Sequence, residues 1–306
     1  MNSIVKQNNR KAAFTIVELL TVMSIIVILI GLLVPALNKV KRYARDVKQK
    51  AQFHSIDAAI ELFNNDFDGY PSSRAMDQDN ELYCGAMKLC EAIMGQDLMG
   101  YHSNSVFKAN GWNTGDVANL YPPNPPSDNL KARKGPFLPS ESANAYQLQN
   151  IAEGGSVTPF DSAYKNYVLC DVYNTHARNS VTGDRVGMPI LYYKADTSCN
   201  LHGNRITDIT PFNNEDNIYN YLDNQALLGI GKLWLPAAER GKQENMHKLA
   251  PPSDDGAGFY KYTESHKITT TPRPYRADSY ILISAGYDGE YGTADDICNF
   301  EWKYKD

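Results

Sequence analysis

KAAFTIVELLTVMSIIVILIGLLVPAL, residues 11–37, decides how the chain is read. From Leu19 to Leu37 nineteen residues carry no charge, and most are apolar. Crossing a hydrocarbon core as a helix takes roughly 18 or more such residues. A cleaved secretory signal has an apolar region of about 7–15 residues and then a small-residue cleavage site. Here PALNKVKR follows without one, so the segment predicts a span that stays in the protein. Glu18 stands at its mouth, four residues after Phe14. A carboxylate costs about 2.5–3.5 kcal/mol at the centre of a span and less near an end. Such a residue either reaches the headgroups or faces a partner.

Lys11-Ala12-Ala13-Phe14-Thr15-Ile16-Val17-Glu18-Leu19-Leu20 resembles the prepilin processing motif of type IV pilins and type II secretion pseudopilins. The resemblance covers about 30 residues. It implies a basic leader, residues 1–13, that a membrane prepilin peptidase removes on the cytoplasmic face, cutting between Ala13 and Phe14 and methylating the new N-terminus. With Phe14 as first mature residue, Glu18 is fifth and Pro35 twenty-second, as the family pattern has it. Ala13 departs from the usual glycine but keeps a small side chain. The family also implies a partner for Glu18: the N-terminal amine of a neighbouring subunit, met in lipid, where opposite charges tolerate one another. Glu18 is then an assembly residue.

Flanking charge points the other way. Lys6, Arg10 and Lys11 precede the span, whereas Lys39, Lys41, Arg42, Arg45, Lys48 and Lys50 follow it. The positive-inside rule alone places the C-terminal side in the cytoplasm. A leader cut by a cytoplasmic peptidase requires the reverse: an inner-membrane, single-pass protein with its N-terminus cytoplasmic and its head periplasmic.

Past the span, Asn38–Asp66 keeps a helical period through Val40, Tyr43, Val47, Ala51, Ile56, Ala59, Ile60 and Phe63, with charges between. Residues 14–37 and 38–68 are expected to be the transmembrane and amphipathic halves of one helix. Pro35 removes a backbone bond inside it, and Asp68-Gly69-Tyr70-Pro71 stops it. ELFNNDFDGYP also resembles the helix exit of the major type II pseudopilin.

At 306 residues and 42% hydrophobic, the chain can bury a substantial core beyond the span. Removing Lys6, Arg10 and Lys11 takes the formal charge from −5 to −8, which does not favour nucleic acid. Cys84, Cys90, Cys170, Cys199 and Cys298 allow one or two bridges in an oxidising periplasm, Cys84 and Cys90 being the nearest pair, with one thiol left over. CGAMKLCEAIMG (Cys84 to Gly95) reads as a short helix, and YVLCDVYN and MPILYYKAD as strands suited to an antiparallel sheet. YPPNPP and APPSDDGAG read as surface turns. The head, residues 69–306, is longer than is usual for pseudopilins, so residues 75–275 hold insertions. His54, His102, His176, His202, His247 and His266 form no metal or catalytic spacing, Gly229-Ile230-Gly231 lacks a third glycine, and no GxSxG occurs, so an enzyme is not expected.

YILIS (Tyr280 to Ser284) is a buried-type strand, and Asp288, Glu290, Asp295 and Asp296 follow it among Gly286, Gly289 and Gly292. Composition alone suggests a solvated Asp-Gly hairpin turn. It is not an EF-hand, lacking the DxDxDG spacing and final Glu. SAGYDGEYGTADDI (Ser284–Ile297) resembles the calcium loop of the major type II pseudopilin in spacing as well as letters. That resemblance implies Ca²⁺ held by side-chain oxygens of Asp288, Asp295 and Asp296, by the carbonyls of Ala285 and Glu290, and by a carbonyl or hydroxyl of Thr293. Hard oxygens in this number suit calcium, which takes 6–8 at about 2.3–2.6 Å.

The expected architecture is α+β, a membrane-spanning helix packed on an antiparallel-sheet head. The expected function is a structural subunit of a type II secretion pseudopilus, polymerising with further pseudopilin subunits in membrane lipid and working with an inner-membrane secretion platform. A type IV pilus subunit for adhesion or uptake, and a membrane-anchored binding or hydrolytic protein exported by the pilin route, are the alternatives.

Overall fold

A single helix, α1, runs from Ile16 to Phe67 with Pro35 inside it. It ends where Asp68 takes a left-handed backbone (φ +53°), just before Gly69 and Pro71. The computed structural model describes residues 15–203, 217–249, 256–267 and 271–301. Packing divides the chain into two units, Met1–Ala44 and Arg45–Asp306. In the first, helical side chains stay exposed although they are apolar, Ile16 at 80% and Leu32 at 71% among them. By length and composition this is a helix able to cross a membrane.

In the second unit the same helix buries Gln49, Gln52, Phe53, Ile56, Ala59, Ile60 and Phe63, steps of three and four residues that line one face. The amphipathic stripe therefore begins later than the apolar letters suggest. Val40, Tyr43 and Val47 are exposed, and the first buried positions are two glutamines. Periodicity weighs apolar letters, so it missed polar side chains that enter the core because their amides find backbone partners.

The stripe packs on one face of a three-stranded antiparallel sheet, β5 (Leu191–Lys194), β6 (Tyr280–Ser284) and β7 (Ile297–Cys298), with β6 central. Alternation along the strands sends Tyr192, Tyr280 and Leu282 toward Phe53, Ile56, Ile60 and Phe63, and sends Leu191, Tyr193, Ile281 and Ile283 to the opposite face. Every residue of β6 is buried, which is why YILIS reads as a continuous apolar run rather than an alternating one. The opposite face is covered by residues from the 75–275 region, including Leu148, Ile151, Tyr219, Leu228 and Phe259. This region thus supplies a second hydrophobic layer.

Two further two-stranded antiparallel sheets complete the head: β1 (Tyr101–His102) with β2 (Arg133–Lys134), and β3 (Ala145–Gln147) with β4 (Tyr167–Leu169). YVL and LYYK lie in different sheets, joined by an isolated bridge between Cys170 and Pro189. Helix α2 (Gly85–Met94) is buried on all sides. Its two internal charges are satisfied: Lys88 donates to the carbonyls of Arg74 and Met76, and Glu91 accepts from Tyr83, Gln96, Ser105 and Tyr121. Cys84 and Cys90 are separate buried thiols that belong to the two different core layers, so the nearest pair in sequence does not meet.

The stripe makes a direct claim on stability. Ile60→Ala should cost about 2–5 kcal/mol of unfolding free energy, as for buried isoleucines elsewhere. Leu62→Ala, on a side chain 51% exposed, should change it by about 0.5 kcal/mol or less. Urea unfolding of the full chain in detergent measures both, and equal effects would mean the buried face is misassigned.

Candidate functional site

Two sequence-derived sites fall on described residues, the mouth of α1 and the acidic loop. Ala13 and Phe14, the expected processing junction, lie outside the described residues.

At the helix mouth, Thr15 and Glu18 form a capping box. The Thr15 backbone amide donates to Glu18 Oε2 at 2.9 Å, the Thr15 hydroxyl donates to the same oxygen at 2.7 Å, and the Glu18 amide donates back to Thr15 Oγ1 at 3.2 Å. Amides in the first turn of a helix have no partner within it, and this reciprocal arrangement satisfies two of them. Glu18 therefore has a role inside its own chain, one that Thr-x-x-Glu spells in the sequence.

The acidic loop joins β6 to β7. It starts beneath a buried carboxylate: Ser284 donates to Asp171 Oδ2 at 3.0 Å and accepts from the Gly286 amide at 3.2 Å. Gly286 (φ +65°) turns the chain so tightly that a Cβ there would collide with the Asp295 carbonyl, and at Gly292 (φ +91°) one would sit 2.6 Å from the Leu249 amide nitrogen. These turns bring the acidic residues together. Asp295 Oδ2 accepts from the amides of Tyr287 (2.8 Å) and Asp288 (3.0 Å), and Asp288 Oδ1 accepts from the Glu290 amide (2.8 Å). Asp296 Oδ2 accepts from the Gly292 amide (2.7 Å) and from the Tyr262 hydroxyl (2.8 Å).

Thr293 marks where the oxygens gather. Its hydroxyl lies 3.2 Å from the Glu290 carbonyl, 2.8 Å from Asp295 Oδ1 and 3.5 Å from Asp296 Oδ1. Burial, reinforced by the charge of Asp295, holds the Asp288 carboxyl above the usual range, and burial with the charges of Asp288 and Asp295 pushes Asp296 higher still. Ala285, Thr293 and Asp296 are all buried, so this is no solvated hairpin turn. The side chain of Glu290 turns away to Lys232 at 3.4 Å, leaving its backbone carbonyl as the atom facing Thr293. Residues 285–296 therefore bring oxygens of Glu290, Asp295 and Asp296 around the Thr293 hydroxyl. In this arrangement the carboxylates are drawn toward the loop's own amides and hydroxyls, and among the described residues no three His, Cys, Asp or Glu side chains form a metal-holding group.

Several supporting residues have no local signal in the sequence. Tyr262, Asp171 and His247, whose Nδ1 lies 3.4 Å from the Tyr291 amide, come from distant segments. Burial pushes His202 down to about 4 and His247 to about 3, keeping both neutral, while His176 stacks on Trp234. Compared with protein-family models, curated proteins and solved structures, the chain matches none.

Asp171 makes the loop's foundation sensitive to pH. Burial raises its carboxyl from 3.8 to about 7, so across that window the folded state holds a proton that the unfolded state has lost. The stability it contributes is present below about pH 4 and is lost as pH rises through about 7. In EGTA, the urea midpoint of the wild-type chain should therefore fall more steeply over this range than that of Asp171→Asn. Parallel curves would remove Asp171 as the source.

Proposed function

We propose that the chain is a single-pass filament subunit of the pilin-like kind, closest in character to the major subunit of a type II secretion pseudopilus. The observation that carries this reading is the change of environment along α1. Its N-terminal turns present bare apolar side chains suited to lipid or to the same segment of a neighbour, while its turns from Gln49 onward form the core of an α+β head. The prepilin-like junction, the carboxylate at mature position five and the acidic loop add to it. In this reading the protein is structural rather than catalytic. It is anchored in the inner membrane with its N-terminus cytoplasmic and its head periplasmic, cut by prepilin peptidase, polymerised with other pseudopilins, and engaged by a secretion platform that moves proteins across the outer membrane.

Glu18 then serves twice. Its Oε2 caps its own helix through Thr15, and its charge meets the amine of the next subunit. The two roles separate by mutation. Glu18→Ala should leave membrane insertion intact and abolish filament assembly, whereas Thr15→Ala, which removes the hydroxyl's two capping contacts and leaves the Glu18 charge in place, should assemble nearly normally. Pelleted filaments quantified by immunoblot distinguish them: equal loss would assign Glu18 to helix capping, and normal assembly of Glu18→Ala would remove its assembly role altogether.

Calcium belongs to the same reading, with Asp288, Asp295 and Asp296 supplying charge and Ala285, Glu290 and Thr293 further oxygens. The ion would neutralise carboxylates that repel one another across the loop. A ligand that binds only the folded state stabilises it by about 2.7 kcal/mol at a hundredfold excess over Kd. The full chain in detergent should melt higher in millimolar CaCl2 than in EGTA, with MgCl2 a poor substitute because it demands a tight octahedron. Asp288→Ala and Asp296→Ala should lose the difference, and Glu290→Ala should largely keep it. Identical wild-type melting with and without calcium would leave the loop an ordinary structural element and withdraw this support from the type II assignment.

A further inference from the structure

The acidic loop and α1 do not simply share a core; a short strap, residues 171–176, is bonded to both. On the loop side, Asp171 accepts from Ser284 at 3.0 Å, the Thr175 hydroxyl donates to the Tyr287 carbonyl at 2.9 Å, and His176 lies against Gly289, where an added Cβ would be 3.2 Å from its ring. On the helix side, the Val172 amide donates to Gln49 Oε1 at 3.0 Å and the Tyr173 hydroxyl donates to Asp46 Oδ1 at 2.7 Å. Just before the strap, the Cys170 carbonyl accepts from Gln52 Nε2 at 2.9 Å. Arg45 closes the circuit directly, its guanidinium 5.8 Å from the centre of the Tyr287 ring.

The chemistry of these contacts makes them transmit displacement. Asp171, Val172 and Tyr173 are buried, so a polar group there that loses its protein partner has no water to replace it. Hydrogen bonds are directional, and in a low-dielectric interior a shifted donor either carries its acceptor along or loses the bond. The helix side also has spare capacity. Gln49 and Gln52 each engage one end of the amide, while Gln49 Nε2 and Gln52 Oε1 are buried without a hydrogen bond. Tyr287 belongs to both sets: its amide donates to Asp295, its carbonyl accepts from Thr175 and its ring meets Arg45.

We propose that the 171–176 strap couples the acidic loop to helix α1 at Arg45–Gln52, so that a divalent cation bound at the loop tightens the docking of that helical segment. The inference rests on the calcium reading and adds its consequence: the cation governs how firmly the head holds the helix as well as whether the loop is ordered. Linkage requires reciprocity, so weakening the helix side lowers cation affinity at the loop.

Hydrogen exchange of the full chain in detergent, in CaCl2 against EGTA, tests this. Wild type should show slowed exchange in 285–296 and also in 45–53. Tyr173→Phe, which deletes the hydroxyl that reaches Asp46, should keep calcium protection in the loop and lose most of it in the helix. By calorimetry its affinity for Ca²⁺ should weaken about fivefold or more, the low end of measured couplings. Thr175→Val, on the half-buried loop side of the strap, gives a second cut if Tyr173→Phe fails to fold. Helix protection retained in both variants, or wild-type protection confined to the loop, overturns the coupling while calcium binding stands. Absence of calcium protection anywhere in the wild type overturns both.

Discussion

The head depends on one constraint: β6 is buried on both faces and needs cover on both. Helix α1 covers one face through Phe53, Ile56, Ile60 and Phe63. Burying each of these side chains favours folding by about 1.5–3 kcal/mol, so the helix is a structural member of the head. The 75–275 region covers the other face. Remove either layer and a fully buried strand faces water.

Apolar contact alone does not fix where a helix sits along a sheet, because one turn of Ile and Phe slides onto the next at modest cost. Polar contacts supply the register. Carboxylates of α1 accept from tyrosine hydroxyls at two heights, Asp46 from Tyr173 and Asp57 from Tyr280. Gln49 and Gln52 add amide contacts to the 170–172 backbone between them. Each bond is directional and a slip of one turn breaks all of them together. Burying the two glutamines is unfavourable on its own, and their partners on 170–172 are also what connects the helix to the acidic loop.

The loop follows a different logic. Its carboxylates are held close by glycine turns and by a backbone that aims amides at them, so folding concentrates negative charge that water would disperse. Donors from distant segments, Tyr262 and the Asp171–Ser284 pair, relieve part of that cost. A hard cation would relieve more. The acidic composition, the tight turns and the buried foundation all have a physical reason to occur together.

Much of this was legible in the sequence. Nineteen uncharged residues specify a lipid-compatible helix wherever the rest of the chain goes, because backbone bonding within a helix is local and apolar length is additive. The YILIS run announced a strand buried on both faces, the CGAMKLCEAIMG segment a short helix, and the glycine and aspartate spacing after β6 a tight acidic loop. Tertiary structure alone decided the rest. Gln49 and Gln52 enter the core although their letters argue for the surface, because burial of an amide depends on a backbone partner more than a hundred residues away. Cys84 and Cys90 do not meet because α2 places them in opposite layers. Asp171 and Tyr262 join the acidic loop across spans that no local pattern records, since which distant donors reach a carboxylate is settled only when the two core layers close around the sheet.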